Sequence, residues 1–172
     1  MQNEQNTVKR LQGGDVTALE EVYKVYSDQI YAFSLSITKT KETAEDIVSE
    51  VFMRIYKYLS SGKSVNNLKA FLFTICRNVS YDKLRMLSLN QSLPEEDILF
   101  SLEMPIDEKF EVRVALEKLP SDEKDIVVLY CVSGFKHREI AEIMQIPEGT
   151  VRWKYRKALE KLKTELGGAD FE

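Results

Sequence analysis

The stretch 137–166, HREIAEIMQIPEGTVRWKYRKALEKLKTEL, reads as a short helix, a tight break at Gln145-Ile146-Pro147 and a longer helix. Ile140, Ile143, Met144, Ile146 and Val151 form the apolar set that joins the two, and Ala141 is small where they must cross closely. A short helix, a turn and a longer helix make the helix-turn-helix layout. In the longer helix Val151, Tyr155, Ala158, Leu159, Leu162 and Leu166 fall on one side at helical spacing. The opposite side carries Arg152, Trp153, Arg156, Lys157 and Lys163, flanked by Lys154 and Lys161. Between Gly149 and Thr164 there are six basic residues against one acidic, Glu160. A solvated charged helix is the ordinary fate of such a run, but the sign bias and the preceding turn favour a helix that enters a DNA major groove. There Arg reads guanine edges and Lys holds phosphates. Trp153 lies on the polar face, where an interface role and packing against a neighbouring element both stay open.

Five further helices are expected upstream of this pair. Asp15 N-caps one that runs past Ile37, with Leu19, Val22, Tyr23, Tyr26, Ile30, Phe33 and Ile37 as its apolar stripe. A second spans about Lys41–Leu59, with Ala44, Ile47, Val48, Val51, Phe52, Ile55 and Tyr58 inside, Glu42, Asp46 and Glu50 outside, and Ser60-Ser61-Gly62 as its stop. A third spans about Leu68–Leu87 and buries Phe71, Leu72, Ile75, Val79 and Leu84, leaving Phe73 and Tyr81 open. A fourth covers about Glu108–Lys118. Pro120 then stops the chain and Ser121 is expected to cap the next helix, to Val132, without a capping box because Lys124 stands at the third position.

Between these groups, residues 88–107 hold five acidic side chains, no basic ones and two prolines, and read as a linker. The expectation is an all-α chain of two small helical domains, 1–87 and 108–172, joined by this flexible acidic segment. The 172 residues are long enough for that arrangement, and the 44% hydrophobic content excludes wholesale disorder. The net charge of −4 does not exclude nucleic acid, because residues 1–90 carry 12 basic and 10 acidic side chains and the charge that matters is local.

Enzymatic chemistry finds little support. His137 is the sole histidine and has no Ser, Cys or carboxylate at a recognisable spacing, so it is expected to touch phosphate or solvent. Glu45 and Asp46 are adjacent and point about 100° apart, which rules out one acid/base pair. There is no phosphate-binding Gly loop and no metal-ligand cluster, and no cofactor is expected. Cys76 and Cys131 are read as buried small hydrophobes in a reducing cytoplasm. No apolar run approaches a membrane span, and the start, MQNEQNTVKRLQGGD, lacks a signal core.

Two separated blocks resemble one family. AEDIVSEVFMRIYKY (44–58) followed by LKAFLFTICRNVSYDKLR (68–85) is similar to conserved region 2 of sigma-70 family RNA polymerase sigma factors. LPSDEKDIVVLYCVSGFKHREIAEIMQIPEGTVRWKYRKALEKLK (119–163) resembles their region 4. Both blocks in this order, in a chain this short, resemble the extracytoplasmic-function (ECF) type. The resemblance implies a bacterial alternative sigma factor that is not an enzyme and that directs promoter-specific initiation. Asp46, Ser49, Glu50, Phe52 and Arg54 would dock on polymerase. Lys63, Asn66, Asn67, Asn78, Asp82 and Arg85 would meet the opened −10 strand, where a flipped base needs a shaped polar pocket. Lys136, His137, Arg138, Thr150, Arg152, Trp153, Arg156 and Lys157 would meet the −35 duplex. The implied partners are core RNA polymerase through its β′ clamp helices and β flap, promoter DNA, and an anti-sigma protein on a separate chain. The sequence departs from the family pattern at Ser49 (usually Gln), Phe71 (Trp), Gln145 (Gly) and Trp153 (a small Ser).

Two rivals make different predictions. A helix-turn-helix repressor or activator would bind duplex tightly without polymerase. A DNA-modifying enzyme such as a recombinase would need a nucleophile with neighbours, and residues 1–90 offer none.

Overall fold

The computed structural model describes residues 2–88 and 106–167, and these form eight helices with no strand among the described residues. The chain divides into two compact units, Met1–Glu96 and Asp97–Glu172. Most of the expected linker, residues 89–105, lies outside the described residues.

The first unit contains α1 (Gln2–Gln12), α2 (Val16–Thr38), α3 (Lys41–Ser60) and α4 (Leu68–Ser88). Helices α2, α3 and α4 pack mutually, and α1 lies against α2 and α3. Asp15 N-caps α2 as expected: its carboxylate accepts from the Thr17 N–H at 2.9 Å and the Thr17 hydroxyl at 2.6 Å. Arg10 Nε donates to the same carboxylate at 2.8 Å. The hydrogen bonds from Thr17, then those from Arg10, hold the Asp15 pKa down at about 2. Helix α3 ends just before Gly62, whose φ of 82° needs the freedom of glycine.

Ile30, Phe33, Ile47, Ile55, Leu59, Leu72 and Phe73 are fully buried in the core of this unit. Burying each such side chain contributes about 1.5–3 kcal/mol before entropy is counted. Burial departs from the expected stripes in several places, Tyr58, Ile75 and Leu84 being half-buried. Ala18 rather than Leu19 is the buried residue of the first turns of α2, and Tyr23 is exposed with its ring against Phe52 at 4.8 Å. The second half of α2, from Ala32 to Thr38, is buried all round. Its Ser34, Ser36 and Thr38 hydroxyls donate to the carbonyls of Tyr31, Phe33 and Ser34, so no hydroxyl donor there is orphaned. In α4 Phe73 is the core aromatic, 5.7 Å from Phe33, whereas Phe71 is half-buried on Tyr58 at 4.8 Å.

The second unit contains α5 (Ile106–Glu117), α6 (Ser121–Cys131), α7 (His137–Met144) and α8 (Glu148–Glu165). Its core joins Ala115, Leu116, Leu119, Val127, Ala158 and Leu162, with Val112, Tyr155, Leu159 and Leu166 packed against it. Ser121 does not cap α6. Pro120 occupies the N-cap position in an extended conformation, and Ser121 is already helical because the fixed ring of Pro120 brings the chain in at the helix start. Cys76 is buried, but Cys131 is exposed at the end of α6, with Sγ 3.9 Å from the Tyr155 hydroxyl.

Candidate nucleic-acid interface

Helix α7 starts where the Lys136 N–H donates to the Glu139 carboxylate at 2.9 Å, which satisfies one free backbone donor. It ends at Gln145, held in the left-handed region at φ 56° and ψ 42°, with its N–H donating to the Ala141 carbonyl. Pro147 then sets the entry into α8. Buried Ile140, Ile143 and Val151 lock the two helices together, while Met144 and Ile146 are half-buried.

This packing turns the polar side of α8 outward. Arg152, Trp153, Arg156 and Lys157 are all exposed, and Trp153 retains 56% of its surface. The Lys157 ammonium lies over the Trp153 ring at 4.8 Å from its centroid. Arg152 is tethered to Glu148 at 2.5 Å, whereas Arg156 has no ion-pair partner among the described residues. Thr150 is half-buried in the first turn. Lys136 and Arg138 are exposed at the start of α7, and Arg138 leans on Glu142 at 3.8 Å.

Part of the basic excess of α8 is neutralised within the unit. Lys154 pairs with Asp122, and Lys161 and Lys157 reach Glu123 at 2.6 and 3.8 Å. Glu123 is only 3% exposed, so this pairing is a fastening between α6 and α8. His137 joins an aromatic cluster. Its ring stacks on Tyr130 at 4.8 Å and meets Tyr155 edge-on at 5.1 Å, and its Nε2 is buried without a protein partner among the described residues. Burial, aided by the Arg152 charge, pushes the His137 pKa below its ordinary value, so the ring is neutral at physiological pH. The nearness of Arg152 and Glu148 to that ring joins the starts of α7 and α8 in one site.

In the first unit, Asp46 and Ser49 are exposed along α3 and Glu50 is half-buried. Glu50 holds Arg54 at 2.6 Å, and Lys83 from α4 reaches Asp46 at 3.5 Å and Glu50 at 3.7 Å. Phe52 is 4% exposed, so it supports this surface from beneath and presents no ring to a partner. Lys63 lies over the Tyr58 ring at 4.9 Å. Asn66 and Asn78 are exposed. Asn67 caps α4, its Oδ1 accepting from the Ala70 N–H at 2.9 Å. Asp82 and Arg85 pair at 3.2 Å on the exposed side of α4, and Arg77 covers the Tyr81 ring at 4.8 Å. Glu4 and Gln12 also reach this region, and sequence reasoning passed over both. The only signal was the i, i+3 pair Val8 and Leu11, which marks α1 as a buried helix.

Among the described residues no group of His, Cys, Asp or Glu is arranged to hold a metal ion, and no helix is long and apolar enough to cross a membrane. A helix-turn-helix with an outward Arg/Trp/Arg/Lys face, in a chain that also holds a compact helical bundle, defines a helix-turn-helix DNA-binding protein. Family models match twice: Sigma-70 region 2 over residues 22–88 and Sigma-70, region 4 over residues 109–162. The chain is 28% identical over 153 residues to the ECF RNA polymerase sigma factor SigM of Bacillus subtilis (strain 168), covering 84% of this chain and 93% of that one. It is 29% identical over 150 residues to the ECF sigma factor EcfG of Rhodopseudomonas palustris (strain TIE-1), covering 81% and 82%. In fold it is similar to CnrH, solved with the cytosolic domain of CnrY, with a TM-score of 0.74 at 18% identity, covering 95% of this chain and 97% of that one. It is similar also to the sigma factor RpoE of Bartonella quintana, solved with the anti-sigma factor NepR, with a TM-score of 0.73 at 24% identity, covering 88% and 98%. The chain belongs to the ECF group of the sigma-70 family, the alternative sigma factors that direct promoter-specific transcription.

Proposed function

We propose that α8 reads the −35 element as duplex and that the first unit both docks on core polymerase and holds the opened −10 strand. The observation that carries the −35 assignment is the outward face of Arg152, Trp153, Arg156 and Lys157 on a helix fixed by the α7–α8 packing. Arg156 is the principal base reader, since its guanidinium is exposed and has no competing ion pair among the described residues. Arg152 and Lys157 contribute beside it, and Lys136, Arg138 and Thr150 meet phosphate. His137 acts as a neutral ring that orients the start of α7. Trp153, where a small residue is usual, packs on a thymine methyl or a sugar.

Asp46, Ser49, Glu50 and Arg54 form the surface for the β′ clamp helices, with Phe52 beneath it, and region 4 meets the β flap. Lys63, Asn66, Asn78, Asp82 and Arg85 face the −10 strand, with Asn67 shaping the turn. Strand opening is driven by binding energy to the single strand, with no catalytic residue in this chain and no nucleotide hydrolysis; the polymerase does the chemistry. The protein works in the cytoplasm beside polymerase. A separate anti-sigma chain is its expected inhibitor, as NepR is the partner in the RpoE complex.

The test is promoter binding by holoenzyme. Arg156→Ala is expected to weaken −35 recognition by about 1–3 kcal/mol while core affinity stays unchanged. Asp46→Ala is expected to do the reverse, weakening core binding. Unchanged promoter binding by the Arg156 variant would remove it from the interface.

A further inference from the structure

We infer that α1 is a clamp on the 63–67 loop, with Glu4 and Gln12 as positioning residues for capture of the opened −10 strand. The inference rests on the proposed role of that loop. The loop is held at both ends by one helix. At its start, Gln12 Nε2 donates to the Lys63 carbonyl at 2.8 Å. At its end, Glu4 Oε1 accepts from the Leu68 N–H at 2.6 Å and the Lys69 N–H at 3.3 Å. Those are first-turn donors of α4 that have no partner inside the helix, and a carboxylate is favoured at a helix N-terminus.

Glu4 and Gln12 are eight residues apart on α1, so the helix bridges the two ends as a rod of about 12 Å. The rod is itself fixed, because Val8 and Leu11 are buried and the Tyr56 hydroxyl donates to the Gly14 carbonyl at 3.4 Å just beyond the end of α1. Between the anchors, Ser64 and Asn66 are exposed and make no hydrogen bond among the described residues. The anchored backbone therefore presents polar side chains that are left for a ligand. Ordering a loop before binding removes an entropic cost that binding would otherwise meet. Helix α1 lies outside residues 22–88, the span of the region 2 match, so the clamp is separate from the pattern that marks the family.

The experiment measures the affinity of holoenzyme for a single-stranded −10 oligonucleotide, beside core affinity and −35 duplex affinity of the same preparations. Glu4→Ala and Gln12→Glu are each expected to weaken oligonucleotide binding about three- to tenfold, as loss of one anchoring hydrogen bond implies. Core and −35 affinities are expected to stay within about twofold, inside the spread expected for a contact that is not used. Glu4→Gln, which keeps an acceptor for the Leu68 N–H, is expected to restore most of the affinity. Gln12→Glu, which keeps the shape but removes the donor, carries the test alone if Glu4→Ala does not fold. Equal losses in core and oligonucleotide binding would mean a general structural role and overturn the clamp. Unchanged oligonucleotide binding in both variants, while Asn66→Ala weakens it, would overturn the clamp and leave the loop's role standing. No effect of Asn66→Ala either would overturn the loop's role and the clamp with it.

Discussion

Gln145 occupies a backbone conformation that a side chain resists, at φ 56° in the turn between α7 and α8. A Cβ in the left-handed region costs about 1–2 kcal/mol, and glycine avoids this at the expense of a more flexible unfolded chain. Gln145→Gly is therefore expected to raise stability by about 1 kcal/mol or less, read as a higher midpoint for the second unit's transition in urea unfolding of the full chain. Asp15 makes a second prediction at this scale. Its pKa is about 2 in the folded chain and returns to the ordinary carboxylate range on unfolding. The stability it adds is thus present above that ordinary range and is lost as pH falls through it toward about 2. Asp15→Ala is expected to lower the first unit's melting temperature at neutral pH and to flatten its decline between pH 5 and 2. Both residues were legible in the sequence, Asp15 as a cap and Gln145 as a departure from the family's glycine, because each acts on backbone within two residues of itself. Ser121 was misread because Pro120 already sets the chain direction at that helix start.

At the scale of elements, the fastening of α8 to α6 has consequences for DNA binding. Glu123 is buried and holds Lys157 and Lys161, two of the basic residues that a count of charge assigns to DNA. Glu123→Gln keeps the shape and releases Lys157 to phosphate. The expected outcome is a loss of about 1–2 kcal/mol of stability together with a steeper salt dependence of duplex binding by about one unit of log–log slope. An unchanged slope with reduced stability would place Lys157 off the DNA. Helical periodicity found α2, α3, α4 and the α7–α8 pair, but it could not apportion a helix covered on two sides. Phe71 and Phe73 lie on different faces of α4, and with α2 and α3 both packed on that helix the deeper burial went to Phe73. Helix α1 escaped notice because its polar residues outnumber the two apolar ones that seat it, and the hydrogen bonds of Glu4 and Gln12 reach residues more than fifty positions away.

Over the whole molecule, the two units differ in the chemistry of their surfaces. The first combines the mixed acidic and basic surface of α3 and α4 with a short anchored loop, and the second presents a basic and aromatic helix. Their order along the chain was legible because each unit has its own apolar periodicity and the acidic run 91–107 separates them. The partners of individual side chains were not legible, since Glu123, His137 and Phe52 take their neighbours from other helices. The most direct measurement is run-off transcription with purified core polymerase and a pool of promoter fragments, with and without this protein. The account predicts new transcripts from a discrete subset of promoters that share −35 and −10 sequences, lost when this protein is omitted. No core binding and no added transcripts, alongside tight duplex binding by the protein alone, would contradict it and point to a repressor.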